Sequence, residues 1–365
     1  MGKIRVLCAT TKLCNGGVQS FLVNYAEQLA NLNVHLDFVV QDTEEQVFDK
    51  KVIKYGSRIF HVEPYSKSKI KYIKDFINIV KLHPEYKIIW MHLNYGNIWP
   101  LIAAKISKVP HIICHSHSNY RASNILVEQY RKLLQISFRY FATDLWACST
   151  PSALWLYGKD KNTRIIHNAV DAERYMFSQI SREHLRTSMN IKEDEVLWIN
   201  VGNLNNAKNQ KFLIDVFDNY HRTHPKNKLI ICGEGELRNS LESQIERLGL
   251  IDAVHLVGKV QNPEDYMSAS DLFVMTSSFE GLPLVSIEAQ ASVLPCVFSQ
   301  VIPNEAIFLD NAKIVQGYNI QDWIIAIEES LSINNNRNMA VVHGSGYDIK
   351  EEAKKIKDIF NEMVI

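Results

Sequence analysis

Short β-capable runs alternate with helix-period patterns along this chain, and the series occurs twice. Apolar β runs at residues 4–9, 36–40, 59–61, 88–92 and 112–115 are separated by stretches with apolar residues at helical spacing, such as Val18, Phe21, Leu22, Tyr25, Ala26 and Leu29. Parallel strands need crossover connections, so strands that alternate with helices predict a largely parallel, doubly wound α/β sheet. From Asp171 to Glu195 the composition turns polar, and a second series follows at 196–201, 228–232, 253–257, 272–276 and 296–299. A chain of 365 residues is long enough for two cores. The expectation is therefore two α/β domains, residues 1–170 and 171–348, joined by one linker. A terminal helix over 349–365, with Ile349, Ala353, Ile356, Phe360 and Met363 as its apolar stripe, is expected to pack back toward the first domain.

Composition removes several classes. With 46% apolar against 22% charged residues the chain is no disordered polymer. It has no run of about twenty uncharged apolar residues that could span a bilayer, and its first twelve residues do not read as a signal peptide. Six cysteines are scattered without a C-x-x-C; four of them sit in apolar or small-residue runs, as buried thiols do in a reducing cytosol. The net charge of zero conceals a split: residues 1–170 hold 22 Lys+Arg against 12 Asp+Glu, and the remainder 18 against 28. No nucleic-acid recognition motif accompanies the basic half, which instead suits an anionic membrane leaflet. Lys67, Lys69, Lys71, Lys74 and Lys81 surround Ile70, Ile73, Phe76, Ile77 and Val80 in a basic amphipathic helix over 66–82. A second such stretch runs over 130–140, with Arg131, Lys132 and Arg139. Packing on their own sheet is the plainer role for both; lipid contact is the sharper one.

Residues 271–299 read as strand, tight loop, short helix and strand. Pro283 is expected at the first helical position, where its missing N–H costs nothing. Glu280 lies in the loop at the helix mouth and Glu288 about two turns into the helix. A helix mouth with free N–H groups is a ready anion site. Gly16-Gly17, before the first helix, resembles a phosphate loop but lacks the full G-x-G-x-x-G pattern. Neither H-E-x-x-H nor D-x-D is present, so no metal ligand set is expected.

Glu280 and Glu288, with Gly281-Leu282-Pro283 between them, resemble the E-x7-E signature of retaining, GT-B-fold glycosyltransferases of family 4. Four further segments are similar to that family in order: Gly16-Gly17-Val18-Gln19, Asn168-Ala169-Val170-Asp171, Val201-Gly202 followed by Lys208-Asn209, and Gly233-Glu234-Gly235-Glu236-Leu237. The resemblance spans about residues 3–362 and is nearest to bacterial exopolysaccharide and capsule enzymes. It implies two Rossmann-like domains facing across a cleft, with the donor on the second and the acceptor on the first. His117, Lys208 and Glu280 would be the catalytic residues. Gly16, Gly17, Gly202, Asn203, Lys208, Gly258, Glu280, Gly281, Leu282, Pro283 and Glu288 would bind the donor, and Gln19, His92 and Asn94 the acceptor. Lys208 would meet a phosphate oxygen, Glu288 the ribose hydroxyls and His117 the sugar's primary hydroxyl. His115, two residues earlier, is expected to point to the opposite side.

The implied reaction moves a hexose from a nucleotide-sugar, a UDP-sugar first, to a saccharide or lipid-linked saccharide, with no metal and no cofactor beyond that co-substrate. The setting would be cytoplasmic, with peripheral contact to the inner face of the plasma membrane. One departure stands out: the family usually has Arg after Val201-Gly202, and this chain has Asn203. That keeps open a catalytically impaired relative that binds sugar nucleotide or a partner transferase. A UDP-sugar 2-epimerase of the same fold is the other alternative.

Overall fold

The computed structural model describes residues 3–365 apart from 15, 93–97, 118–124, 159–161, 281, 334–336 and 338–344; within a helix over 125–141, side chains 125–128, 130, 131 and 133 are also outside it, as is that of 305. The chain divides into two compact units, residues 1–169 with 349–365, and 170–348. It passes between them twice, at 169/170 and 348/349, where the sequence suggested one linker. The cause is the last helix, whose apolar stripe belongs to the first unit's core.

In the N-terminal unit the elements are β1 (Ile4–Thr10), α1 (Gly17–Asn31), β2 (Val34–Val40), α2 (Asp49–Lys54), β3 (Ile59–His61), α3 (Lys69–Leu82), β4 (Ile88–His92), α4 (Ile98–Ile106), β5 (His111–Ser116), α5 (Ile125–Phe141), β6 (Asp144–Ala147), α6 (Thr150–Tyr157) and β7 (Arg164–Ile165). All strands are parallel in the order β3-β2-β1-β4-β5-β6-β7. The order reverses between β1 and β4, which is where doubly wound sheets open a crevice at their carboxyl ends. The strands β6 and β7 are absent from the sequence reading; β6 opens on Asp144 and β7 is the two residues Arg164–Ile165, so neither presents a continuous apolar run.

The C-terminal unit holds α7 (Gln179–Ser188), β8 (Val196–Val201), α8 (Gln210–His221), β9 (Asn227–Cys232), α9 (Arg238–Arg247), β10 (Val254–Gly258), α10 (Pro263–Ala269), β11 (Leu272–Met275), α11 (Leu284–Ala291), β12 (Cys296–Ser299), β13 (Ala312–Val315) and α12 (Ile320–Ser332). Its parallel sheet runs β10-β9-β8-β11-β12-β13, with the reversal between β8 and β11. The last helix, α13 (Ile349–Val364), returns to the N-terminal unit. There Phe360 stacks on Trp146 at 5.8 Å and meets Trp90 edge-on, in one core with Phe21, Tyr25 and Leu29 of α1.

The basic helix α3 does pack on its own sheet, through buried Tyr72, Phe76 and Val80. Its Lys67, Lys71, Lys74 and Lys81 neighbours and Ile70 and Leu82 remain exposed. On α5, Lys132 and Arg139 are exposed, with Ile136 and Tyr140; the side chains of Arg131, Leu133 and Tyr130 lie outside the described residues. Five of the six cysteines are buried rather than four, Cys14 being the partly exposed one. Among the described residues no helix is long and apolar enough to cross a membrane.

Candidate active site

At the reversal in the C-terminal sheet, the loop after β8 and the loop after β11 lie side by side. Ser278 N donates to Ala207 O at 2.8 Å, and Thr276 Oγ1 to Asn209 O at 3.0 Å. These bonds place Lys208 Nζ 2.6 Å from Glu280 Oε1, both side chains largely shielded from solvent. Two residues 72 positions apart are thus held as one ion pair. The expectation gave Lys208 to a phosphate; here the ammonium points one of its three hydrogens at Glu280 and keeps donors for another oxygen.

Glycine lets these loops approach one another. The Gly202 N–H donates to Cys232 O, and the Gly233 N–H to Gly258 O, joining the carboxyl ends of β8, β9 and β10. A Cβ on Gly233, whose φ is 156°, would stand 1.9 Å from Gly202 O, and one on Gly235 2.3 Å from Leu204 O. No other residue fits at either position without moving backbone. Gly258, at φ 77°, is the third member of this ridge. Asn203 is exposed beside it; its carbonyl accepts from Gln210 Nε2 at 3.0 Å.

Below the Glu280 loop, Leu282 is buried and α11 begins at Leu284. Pro283 is therefore the residue before the first helical position, with extended ψ of 123°, not the first helical residue itself. Its carbonyl accepts from the Ser286 hydroxyl at 2.8 Å and from the Ser286 N–H at 3.1 Å, as the carbonyl preceding a helix does. Glu288 consequently lies little more than one turn in, nearer the mouth than expected. No side chain caps this terminus and no acidic residue occupies its first turn, which suits an incoming anion. Gly281 lies outside the described residues.

Glu288 has partners that the sequence reading missed. Tyr175 donates to its carboxyl, and Arg174 stands near in charge. Arg174 grips Glu264 with Nε and Nη2 at 3.0 Å each. Burial pushes the Glu288 carboxyl up to about 7, with the Tyr175 hydroxyl and the Arg174 charge pulling the other way. The available signal was the Asn168–Asp171 segment, after which Arg174 and Tyr175 follow directly; nothing in their spacing ties them to a helix more than a hundred residues on.

In the N-terminal unit, α1 starts at Gly17 behind Gly16, which carries no side-chain cap and sits where a Cβ would meet Gln19 Oε1 at 2.4 Å. His92 ends β4 and is the register partner of His115 on β5. His117 follows β5, and its Nε2 lies 2.9 Å from His92 Nδ1. His115 does not point away: its ring stacks on that of His117 at 4.1 Å between centroids. Side chains two apart in an extended chain share a face, so the opposite-side expectation had the period wrong. Phe21 of α1 packs edge-on to His115 and His117. Burial holds His117 down at about 3, and His92 and His115 well below the usual histidine range, so all three rings are neutral at pH 7. Asn94 lies outside the described residues.

The chain carries the paired domains of a GT-B glycosyltransferase. Residues 15–174 match Glycosyltransferase Family 4 and residues 181–344 match Glycosyl transferases group 1. Bacterial polysaccharide glycosyltransferases are among its homologues. EpsF of Bacillus subtilis (strain 168), named as a glycosyltransferase, is 24% identical over 310 residues, 82% of this chain and 79% of that one. UDP-Gal:alpha-D-GlcNAc-diphosphoundecaprenol alpha-1,3-galactosyltransferase of Escherichia coli is 26% identical over 325 residues, 82% and 81% of the two chains. The fold matches that of Anabaena HepE, solved in complex with UDP and glucose, at a TM-score of 0.78 and 18% identity over 98% of this chain and 99% of that one. Two parallel-sheet Rossmann-like units are the common architecture.

Proposed function

We propose that the chain is a retaining hexosyltransferase that draws on a UDP-sugar and extends a lipid-linked saccharide. The observation that carries this reading is the Lys208–Glu280 pair, set at the sheet reversal beside an uncapped helix and a glycine ridge. A nucleotide-sugar needs a diphosphate cradle, a ribose anchor and a sugar grip. Lys208 and the N–H groups at the mouth of α11 supply positive potential for the diphosphate without a metal. Glu288, its ring of Tyr175 and Arg174 around it, accepts from the ribose hydroxyls. Glu280 holds the sugar, and the bond from Lys208 fixes its orientation. Gly16, Gly17, Gly202, Asn203 and Gly258 allow backbone to approach the donor. His117 gives the sugar's primary hydroxyl a neutral, oriented hydrogen-bonding partner.

In this reading the acceptor hydroxyl attacks from the face the diphosphate leaves. The bond from the anomeric carbon to the phosphate oxygen breaks as the new glycosidic bond forms on the same face, and the departing phosphate oxygen takes the hydroxyl proton. The protein contributes by stabilising the charge on the leaving group. The lipid-linked acceptor is supported by the diphosphoundecaprenol substrate in the E. coli relative's name, and Gln19 and His92 are its candidate contacts. The exposed lysines of α3 suit peripheral contact with an anionic cytoplasmic leaflet.

A second reading, sugar-nucleotide binding without transfer, rests on Asn203. A lost charge-assisted hydrogen bond is worth about 1.5–3 kcal/mol, tenfold or more in donor affinity. Thermal-shift titration with UDP-, GDP- and ADP-sugars, followed by turnover with and without acceptor, tests both. A UDP-sugar at a hundred times its Kd should stabilise the fold by about 2.7 kcal/mol. Stabilisation by none of the three would sink the donor site. Stabilisation without transfer or hydrolysis would favour the second reading, and conversion of the sugar without acceptor would point to an epimerase.

A further inference from the structure

Transfer as proposed calls on His117 and His92 of the N-terminal unit and gives His115 no part, yet all three are assembled there. His92, His115 and His117 each offer a ring nitrogen, and these atoms all lie within 4.8 Å of one another. Two of the rings are fully enclosed and the third, His117, is partly open to solvent. The only hydrogen bond among them runs between His92 Nδ1 and His117 Nε2. His92 Nε2 and both ring nitrogens of His115 are buried without a hydrogen-bond partner. A buried polar atom with no partner costs about 1–3 kcal/mol, and here three occur on adjacent rings held rigid by Phe21, Trp90 and Trp146.

We propose that His92, His115 and His117 form a binding site for a divalent transition cation of the zinc class. Three imidazoles, two on a parallel strand pair and one just beyond it, with the side toward His117 open, are the donor set of a zinc site that keeps one position for water. Bonds of about 2.0–2.1 Å place tetrahedral ligand atoms roughly 3.3 Å apart, so the rings need to converge on the order of 1 Å. Rotation about the side-chain torsions of His92 and His117, at the ends of their strands, supplies that movement; His115 stays clamped on Trp90. The site is inhibitory rather than catalytic. A cation that takes the His117 lone pair removes the hydrogen-bonding group assigned to the donor sugar, a consequence that rests on the role given to His117 above.

Cobalt(II) reports the site without any sugar nucleotide. The metal-stripped full chain should bind one equivalent of Co²⁺ with the intense visible bands of four-coordinate geometry, and Zn²⁺ should displace it. His115→Phe, an apolar ring suited to the pocket of Phe21, Trp90 and Trp146, should abolish the bands and weaken Zn²⁺ binding on the order of a hundredfold or more, beyond the loss seen for outer partners. His92→Gln should do the same and carries the test if circular dichroism shows His115→Phe unfolded. Pale six-coordinate bands, or binding unchanged in both variants, would overturn the site. Saturating Zn²⁺ should also stop UDP-sugar turnover, reversibly with EDTA; four-coordinate binding that leaves turnover intact would overturn the link to His117 and leave the donor reading standing on its own measurements.

Discussion

The two units share one architecture and treat charge in opposite ways. Each is a parallel sheet whose strand order reverses beside its first strand, β1 next to β4 in one and β8 next to β11 in the other. The N-terminal unit holds 26 Lys+Arg against 16 Asp+Glu, the C-terminal unit 14 against 24. At their reversal points the contrast inverts. The acidic unit presents a lysine paired with a glutamate, and a second glutamate ringed by Tyr175 and Arg174. The basic unit presents three imidazoles that burial keeps uncharged. A topology fixes where a ligand can sit; the side chains decide whether the crevice offers charge or neutral hydrogen bonds.

Breaking the charged crevice should have the largest effect. Glu280→Ala removes the carboxylate proposed to hold the sugar and takes away the partner of Lys208; transfer should fall by about a hundredfold or more with the thermal unfolding midpoint nearly unchanged, read by initial rates and circular dichroism. Near-normal rates would move the active site elsewhere.

The two units should also answer pH with opposite signs. The three histidines have folded-state pKa values below their unfolded value, so the unfolded chain binds more protons. Their stability contribution is fully present above about pH 6.5 and is lost progressively as pH falls below it. Glu288 is raised from the ordinary carboxylate value to about 7, so the folded state holds its proton longer. Its cost is absent below about pH 4.5, grows as pH rises to about 7 and is constant above that. Acidification from pH 8 to 5 should therefore weaken the N-terminal unit first, visible as hydrogen exchange in α1 and β4 ahead of β8 and α11. A uniform response across both units would refute the contrast.

A smaller effect should sharpen the role of Glu288. Donor binding through its carboxylate should strengthen as pH rises from 6 to 8, by up to about tenfold, and Glu288→Gln should flatten that dependence. An equally steep profile in the variant would assign the titration to another group. Smallest of all, Asn203→Arg should tighten UDP-sugar binding about tenfold if the exposed loop position faces the diphosphate; unchanged affinity in calorimetry would show that it does not.

Much of this was legible before any coordinates. Alternating periods established two doubly wound units, and E-x7-E with its accompanying glycines pointed to the loops that meet at the C-terminal sheet's reversal, because strand, turn and helix signals are local. Gly233 is a case in point: a residue forced against the Gly202 carbonyl can only be glycine. What stayed hidden involves distant partners or short elements. Tyr175 and Arg174 reach Glu288 across more than a hundred residues, β13 is only partly buried and carries Lys313 so it lacks the apolar run of β11 and β12, and Pro283 sits one position outside its helix because ψ there is set by the loop before it.

By itself, then, the sequence determined the number of units, their class and the place of the glutamates, since these follow from periodicity and turn chemistry. The tertiary structure alone decided that Lys208 and Glu280 form one pair, that Tyr175 reaches Glu288, and that His92, His115 and His117 meet. Those outcomes depend on which strands lie side by side, and strand order is fixed by the packing of whole helices against the sheet, which no local pattern encodes.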